Sequence, residues 1–374
     1  MTRLVCLDCR YLGDRPSGIG ECVNALVEHL PALAPDWRFR LLRSPRRRDS
    51  LSAAANCEEV VVKAAANGPA SAWWLPRIVD LAGIDLFHAP ANILPRGLPA
   101  RCLTTVHDIM WLTHPHWCTT RRTGLIERWF YGSGIRHALR HSAAIATVSA
   151  ATREEIVTRG LAAAERVHVT PSGVDPAFRP SDRRPELLQD LGIAADRRFV
   201  LIVGQNAPYK NHEGALRAFH AAFADAGDMH LVLVQRRSAG PPLEPLVRQL
   251  GLAGRVHPLE TVSRHDLIGL YSAALALLHP SFCEGFGNPL AEAMACGCPV
   301  VTSQISAMPQ VTGGAALLVD PRDTAAMAAA LRRVAHDPAC AQRMRAAGLE
   351  RARSLQWGDF ARANLALYRS VLEG

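Results

Sequence analysis

The chain has 374 residues, 49% of them hydrophobic and 20% charged, with a net charge of +8 and a pI near 9.2. That length suits two domains at about 150 residues each, and the composition excludes a disordered or collagen-like protein. The longest apolar runs, 143–148 and 273–278, fall far short of the roughly 18–20 residues of a membrane-spanning helix.

Short β-rich apolar runs alternate with longer helical patterns, which predicts α/β structure with parallel sheets covered by helices. The first set of predicted strands is 4–7, 39–42, 59–62, 85–88, 103–106, 144–148 and 167–170. The second is 199–203, 230–234, 256–258, 275–279, 300–302 and 316–319. Between them lies 171–181, Pro171-Ser-Gly-Val-Asp-Pro-Ala-Phe-Arg-Pro-Ser181, too rich in Pro and Gly to continue either element. The predicted domains are therefore 1–176 and 177–354, and 355–374 carries the apolar spacing of a closing amphipathic helix.

Ten cysteines are dispersed along this length, and Asp8 and Arg10 interrupt the only N-terminal stretch that a signal peptide could use. Reduced thiols in a cytoplasmic protein are the expectation. Cys6 and Cys9 form a C-x-x-C inside the first strand run with no second pair at zinc spacing, so neither a metal nor redox chemistry is assigned to them. The basic charge suits nucleic acid, an anionic membrane surface or a phosphorylated substrate.

The most informative segment runs from His279 through Glu284-Gly-Phe-Gly-Asn-Pro-Leu-Ala-Glu292 to Val301. It follows a strand, and Asn288-Pro289 reads as an N-cap with Pro at the first helical position. Gly285 and Gly287 let backbone N–H groups approach a ligand, and a helix N-terminus favours a diphosphate. Glu284 in the loop and Glu292 in the helix are natural acceptors for sugar and ribose hydroxyls.

This segment resembles the E-x7-E motif of the retaining glycosyltransferases of the glycogen-synthase-like family, family four or "glycosyl transferases group 1". Further matches follow in order: Ser17-Gly-Ile-Gly20, Thr105-Val-His-Asp108, Val148-Ser-Ala-Ala-Thr152, Thr170-Pro-Ser-Gly-Val-Asp175, Val203-Gly-Gln-Asn-Ala-Pro-Tyr-Lys-Asn211 and Leu318-Val-Asp-Pro321. The resemblance implies the GT-B architecture: two Rossmann-like domains facing across a cleft, an acceptor-side domain followed by a donor-binding one, with the C-terminal helix returning to the first. It implies that Glu284, Phe286 and Asn288 with Gly285 and Gly287 contact the donor, that Glu292 holds the ribose, and that Gly18 and Gly20 face the diphosphate. Lys210, counted from Gly204, neutralises the leaving diphosphate in place of a metal. His107 stands beside the donor sugar; alone, a His ending a strand reads equally as a core or capping residue. Catalysis is assigned to His107, Lys210 and Glu284, without metal or resident cofactor, the leaving diphosphate taking the acceptor's proton at the front face of the sugar.

The sequence departs from the family at Gln205 and Tyr209, where arginines are common, at Gln310, often Glu, and at Ser172, often Asn. On the acceptor side, Asp108 either orients the acceptor or caps a turn, and Trp111 with Trp117, or Trp73 with Trp74, offers either a sugar platform or core packing. Arg43 to Arg48 and Arg121-Arg122 would meet an anionic membrane or a lipid diphosphate at its inner face, unless they are solvated loops. The reading that results is a hexosyltransferase, mannose first, using a GDP- or UDP-sugar and a saccharide or lipid-linked acceptor in surface-polysaccharide or glycoconjugate synthesis. A nucleotide-sugar epimerase, or a non-catalytic scaffold subunit, is the alternative. Nucleic acid is not expected, because the basic residues lack interleaved aromatics.

Overall fold

The computed structural model describes residues 2–13, 17–119, 124–182, 186–194, 197–235 and 240–374. Two compact units emerge. The first is Met1–Thr113, Thr123–Gly173 and Gln356–Gly374; the second is His114–Arg122 and Val174–Leu355. A cut at 176/177 does not foresee that His114–Arg122 groups with the later half of the chain. The reason is aromatic: the Trp117 ring stacks on Phe282 at 5.7 Å between centroids.

The first unit holds a parallel sheet of β1 (Leu4–Asp8), β2 (Arg38–Arg43), β3 (Cys57–Val61), β4 (Leu86–Ala89), β5 (Arg101–Val106), β6 (Ala144–Thr147) and β7 (Val167–Val169), in the order β3-β2-β1-β4-β5-β6-β7. Register follows the apolar runs: Val5 of β1 pairs with Phe39 on one side and Leu86 on the other. A strand buried on both faces cannot alternate polar and apolar residues, which is why the inner strands β1, β4 and β6 read as near-continuous apolar runs, whereas the edge strand β3 is only partly buried. Cys6, Phe87, Leu75 and Ala138 share one core cluster, and Val106, Ile109, Ile135 and Ile156 another.

The second unit repeats the plan with β8 (Arg198–Val203), β9 (Met229–Val234), β10 (Val256–Leu259), β11 (Ala276–His279), β12 (Val300–Ser303) and β13 (Leu317–Val319), ordered β10-β9-β8-β11-β12-β13. Its core gathers Val200, Leu231, Leu278 and Val301 from the sheet with Leu216, Phe219, Met327 and Leu331 from helices. Each sheet reverses its strand order once, between β1 and β4 and between β8 and β11. Loops at the carboxyl ends beside such a reversal form the ligand crevice of a doubly wound fold.

The last helix, Trp357–Glu373, packs within the first unit against helix Gly18–Leu33. Phe360, Asn364, Tyr368 and Val371 recur at helical spacing on its buried face, and burying an aromatic such as Phe360 contributes about 1.5–3 kcal/mol. Tyr368 adds a polar anchor: its hydroxyl lies 2.6 Å from His88 Nδ1, and His88 Nε2 lies 2.9 Å from Thr105 Oγ1. Burial, and secondarily His107, holds His88 at about 3, so this ring is neutral at physiological pH.

Candidate functional site

In the second unit, Lys210 follows β8 and Glu284 follows β11, the two strands that flank the reversal. Both residues are buried, at 8% exposure each. Three donors converge on one carboxylate oxygen, Glu284 Oε1: Lys210 Nζ at 2.6 Å, Ser281 Oγ at 2.7 Å and His279 Nε2 at 2.8 Å. Oε2 accepts from no protein group among the described residues. Burial alone would raise the Glu284 pKa, but Lys210 and then His279 outweigh it and hold the carboxyl far below its usual range. Burial likewise opposes the Lys210 charge, and Glu284 more than restores it. His279, desolvated first of all, stays neutral despite its hydrogen bond to Glu284. The site is a fixed ion pair with one carboxylate oxygen and two ammonium hydrogens available to a ligand.

The loop that carries Glu284 is tied down on every side. Thr302 and Ser303, at the end of β12, donate to the carbonyls of His279 and Ser281, and Phe282 N–H donates to Tyr209 O at 2.7 Å. Ser306 clamps Glu284 by its main chain, accepting from the N–H at 3.1 Å and donating to the carbonyl at 2.9 Å. Ser306 does so at φ 57°, and among the described residues the second with positive φ other than glycine is Asn211 at 55°, next to Lys210. Strain of this kind persists where the surroundings over-determine a functional geometry. Asn211 caps helix His212–Phe223 and donates to Pro321 O at 2.7 Å, which joins the Lys210 turn to the Asp320-Pro321 loop.

The helix after the loop begins one residue earlier than its sequence suggests. Gly287, at φ 94°, is the N-cap, and Asn288 is already in helix Asn288–Ala295. Only glycine takes this left-handed turn without cost, and it offers no side-chain cap; Pro289 has no N–H and Leu290 N–H donates to Gly287 O at 2.9 Å, so the uncapped donor is the Asn288 N–H. Phe286 turns its ring inward, at 6% exposure, so it offers a ligand its main chain alone. Glu292 Oε2 accepts from Tyr271 OH at 2.9 Å. Burial and Glu292 push the Tyr271 phenol far up, so it remains a donor.

Gln205 and Tyr209 engage each other: Gln205 Nε2 donates to Tyr209 OH at 2.9 Å, and the Tyr209 ring lies 5.3 Å from Lys210 Nζ. Gly204 opens this loop after β8, with its N–H on Val234 O at 3.0 Å.

In the first unit, Gly18 and Gly20 form the first helical turn of Gly18–Leu33 rather than a loop. Ser17 caps that helix, accepting the Gly20 N–H at 3.0 Å, which satisfies one of the donors expected to face a ligand. His107 follows β5. Its N–H donates to Asn92 Oδ1 at 2.8 Å, and Nε2 lies 2.8 Å from Pro90 O. A carbonyl only accepts, so Nε2 carries the hydrogen and Nδ1 of the neutral ring is an acceptor. Desolvation lowers the His107 pKa and the Pro90 bond opposes this. Asp108 caps a turn, with Oδ1 accepting Met110 N–H at 2.9 Å.

Trp111 stacks on Tyr131 at 4.5 Å in the first unit, whereas Trp117 stacks on His114 and Phe282 in the second, so the two belong to different aromatic clusters. Arg43 pairs with Glu59 at 2.8 Å, which neutralises the first arginine of 43–48. Arg121 and Arg122 lie outside the described residues. Cys6 and Cys9 are buried, and burial raises both thiols.

His279, Ser281, Ser306 and Tyr271 are missed by sequence reasoning. His279 alone carries a signal, as a polar residue ending an apolar strand.

The family "Glycosyl transferases group 1" matches residues 183–351, and "Glycosyltransferase Family 4" matches 16–178. The chain is 30% identical over 290 residues to O-antigen chain mannosyltransferase B of Escherichia coli, covering 76% of this chain and 74% of that one. It is 30% identical over 257 residues to the MMP alpha-(1->4)-mannosyltransferase of Mycolicibacterium hassiacum, covering 67% and 60%. Sucrose-phosphate synthase from Thermosynechococcus elongatus shares the fold over 99% of both chains, with a TM-score of 0.77 at 23% identity. Two Rossmann-like sheets, a Lys–Glu pair at the second reversal and this similarity together place the chain in the glycosyl transferases group 1, glycosyltransferase family 4, as a glycosyltransferase of the GT-B fold.

Proposed function

We propose that the chain transfers a hexosyl group, mannose first, from a nucleoside-diphosphate sugar to a saccharide or lipid-linked acceptor, with retention and without a divalent metal. The observation that carries this reading is the buried Lys210–Glu284 pair at 2.6 Å. Glu284 Oε2 accepts hydrogen bonds from donor-sugar hydroxyls while Oε1 is held by three protein donors. Lys210 directs its remaining N–H groups at the diphosphate, whose charge grows as the bond from the anomeric carbon to the phosphate oxygen breaks, and the uncapped N–H of Asn288 adds a second anchor. Glu292, oriented by Tyr271, receives the ribose hydroxyls. The departing phosphate oxygen takes the acceptor's proton as the new glycosidic bond forms on the same face. Mannose is favoured by the names of the two similar mannosyltransferases, and GDP-mannose is proposed as the first donor to try, ahead of UDP-sugars.

The test is transfer from GDP-mannose, UDP-glucose and a dTDP-sugar in the presence of EDTA, with the product's anomeric configuration read by NMR. Retention is expected. An inverted product, or activity abolished by EDTA and restored by a divalent cation, contradicts the reading. Epimerised sugar nucleotide formed without acceptor identifies an epimerase, and an inert chain that nonetheless binds a partner transferase identifies a scaffold.

A further inference from the structure

Helix Gly124–His141 buries Gly132, Ile135, Ala138 and Leu139 against the first unit. The start of this helix does the opposite of what a soluble surface does: Leu125 is 79% exposed, Ile126 69% and Trp129 63%. Trp73 stacks on Trp129 at 6.1 Å and touches Trp74 at 6.4 Å, so the half-exposed Trp74 of helix Pro69–Ile78 extends the same apolar ground. Beside it runs a groove of about 480 Å³ lined by Arg96, Arg128, Arg136 and Arg140 together with Leu125 and Trp129. Among the described residues no carboxylate lines this groove. None of Arg128, Arg136 and Arg140 forms an ion pair among the described residues, whereas Arg43, the first arginine of the 43–48 cluster, is paired with Glu59.

We infer that this face docks on an anionic phospholipid bilayer, with lipid phosphates in the arginine groove and Leu125, Ile126 and Trp129 in the interfacial layer. Charge complementarity selects the occupant. Unpaired guanidiniums in a groove without carboxylates fit phosphate bidentately, and each basic residue near an anionic leaflet strengthens binding about fivefold. The apolar residues select a bilayer over a soluble anion. A free phosphate has no use for an exposed Leu-Ile pair, whereas Trp at the border of an apolar patch and a cationic rim suits the level of the lipid headgroups. Crowding of cations shows independently at His137, whose Nδ1 lies 3.2 Å from Arg96. Burial first, then Arg96, His141 and Arg140, hold it at about 4, so the ring adds no charge and leaves the field to the arginines. The surface is separate from the donor residues and does not rest on their assignment.

The test is co-sedimentation of the full chain with vesicles of phosphatidylcholine alone and of phosphatidylcholine with phosphatidylglycerol. Binding to the anionic vesicles only is expected, weakening as salt rises. The variant Arg136→Gln/Arg140→Gln is expected to lower the vesicle partition coefficient by about twenty-five-fold, and Leu125→Ser/Ile126→Ser/Trp129→Ser by at least tenfold. Both are expected to keep wild-type melting and nucleotide binding, since the changed side chains lie at the surface. Four results overturn the inference: equal partition onto neutral vesicles, no partition onto either, variants that bind like wild type, or vesicle-free behaviour in which inorganic phosphate binding or self-association, and not lipid binding, is lost with these residues.

Discussion

Lys210 Nζ and Glu284 Oε1 stand 2.6 Å apart, both buried, on loops after the two strands at which the second sheet reverses. Neither charge is tolerable there alone. Lys210→Ala is expected to reduce turnover by on the order of 10²- to 10³-fold and to destabilise by about 3–5 kcal/mol, because it strands a buried carboxylate. The double variant Lys210→Met/Glu284→Gln is expected to recover most of the stability and none of the activity. Urea denaturation and steady-state rates of Lys210→Ala, Lys210→Met, Glu284→Gln and the double variant check this.

Ser306 holds Glu284 through its main chain at a cost in backbone conformation. Ser306→Ala loses the clamp and keeps the strain, and Ser306→Gly loses the clamp and relieves the strain. Both are expected to lose about tenfold in kcat, while the Gly variant melts higher than the Ala variant by the equivalent of about 1 kcal/mol. Equal melting temperatures contradict the strained clamp.

Tyr271 touches Glu292 and no other site carboxylate in the described hydrogen bonds. Tyr271→Phe is expected to weaken nucleotide binding by about tenfold, the worth of one hydrogen bond to a charged group, with kcat at saturating donor changed much less. Calorimetric titration alongside rate measurements separates the two; a loss confined to kcat assigns Tyr271 elsewhere.

Acid lability has a definite sign. His88 and His212 are held at about 3 and about 4 by burial, the latter with help from Lys210, against about 6.5 in an unfolded chain. Between these values the unfolded state binds protons that the native state refuses. Stability is therefore complete above about pH 6.5 and falls as pH drops toward 4, by up to about 1.4 kcal/mol per unit for each ring. Glu284, lowered in the fold, adds its loss only below about pH 4.3. Unfolding curves from pH 7 to 4 test this, and His212→Asn is expected to flatten the slope.

Gly173, in the Thr170-to-Asp175 motif, faces Trp357 so closely that a Cβ there would overlap the Trp357 backbone nitrogen. Gly173→Ala is expected to cost at least about 1–3 kcal/mol, read as a lower melting temperature; an unchanged one contradicts the close approach.

The central strands were legible because parallel strands buried on both faces leave an apolar run in sequence, as in Phe199-Val-Leu-Ile-Val203. Glu284, Glu292 and Lys210 were legible because their spacing and glycine context are local. What was not legible depends on tertiary partners. Nothing in Ser306 or Tyr271 shows that each meets a glutamate some twenty positions away, and the cap moved from Asn288 to Gly287 because a left-handed turn, not side-chain capping, starts that helix. Nor does Trp117 announce that it joins Phe282 rather than Trp111.

The donor site is tested by calorimetric titration of GDP, UDP and dTDP into the full chain in EDTA, followed by the same titration of Glu292→Gln. One of the nucleotides, GDP first, is expected to bind without added metal and to lose about tenfold or more in affinity in the variant. If none of the three binds, or if binding is unchanged by Glu292→Gln, the placement of the donor beside β8 and β11 is wrong.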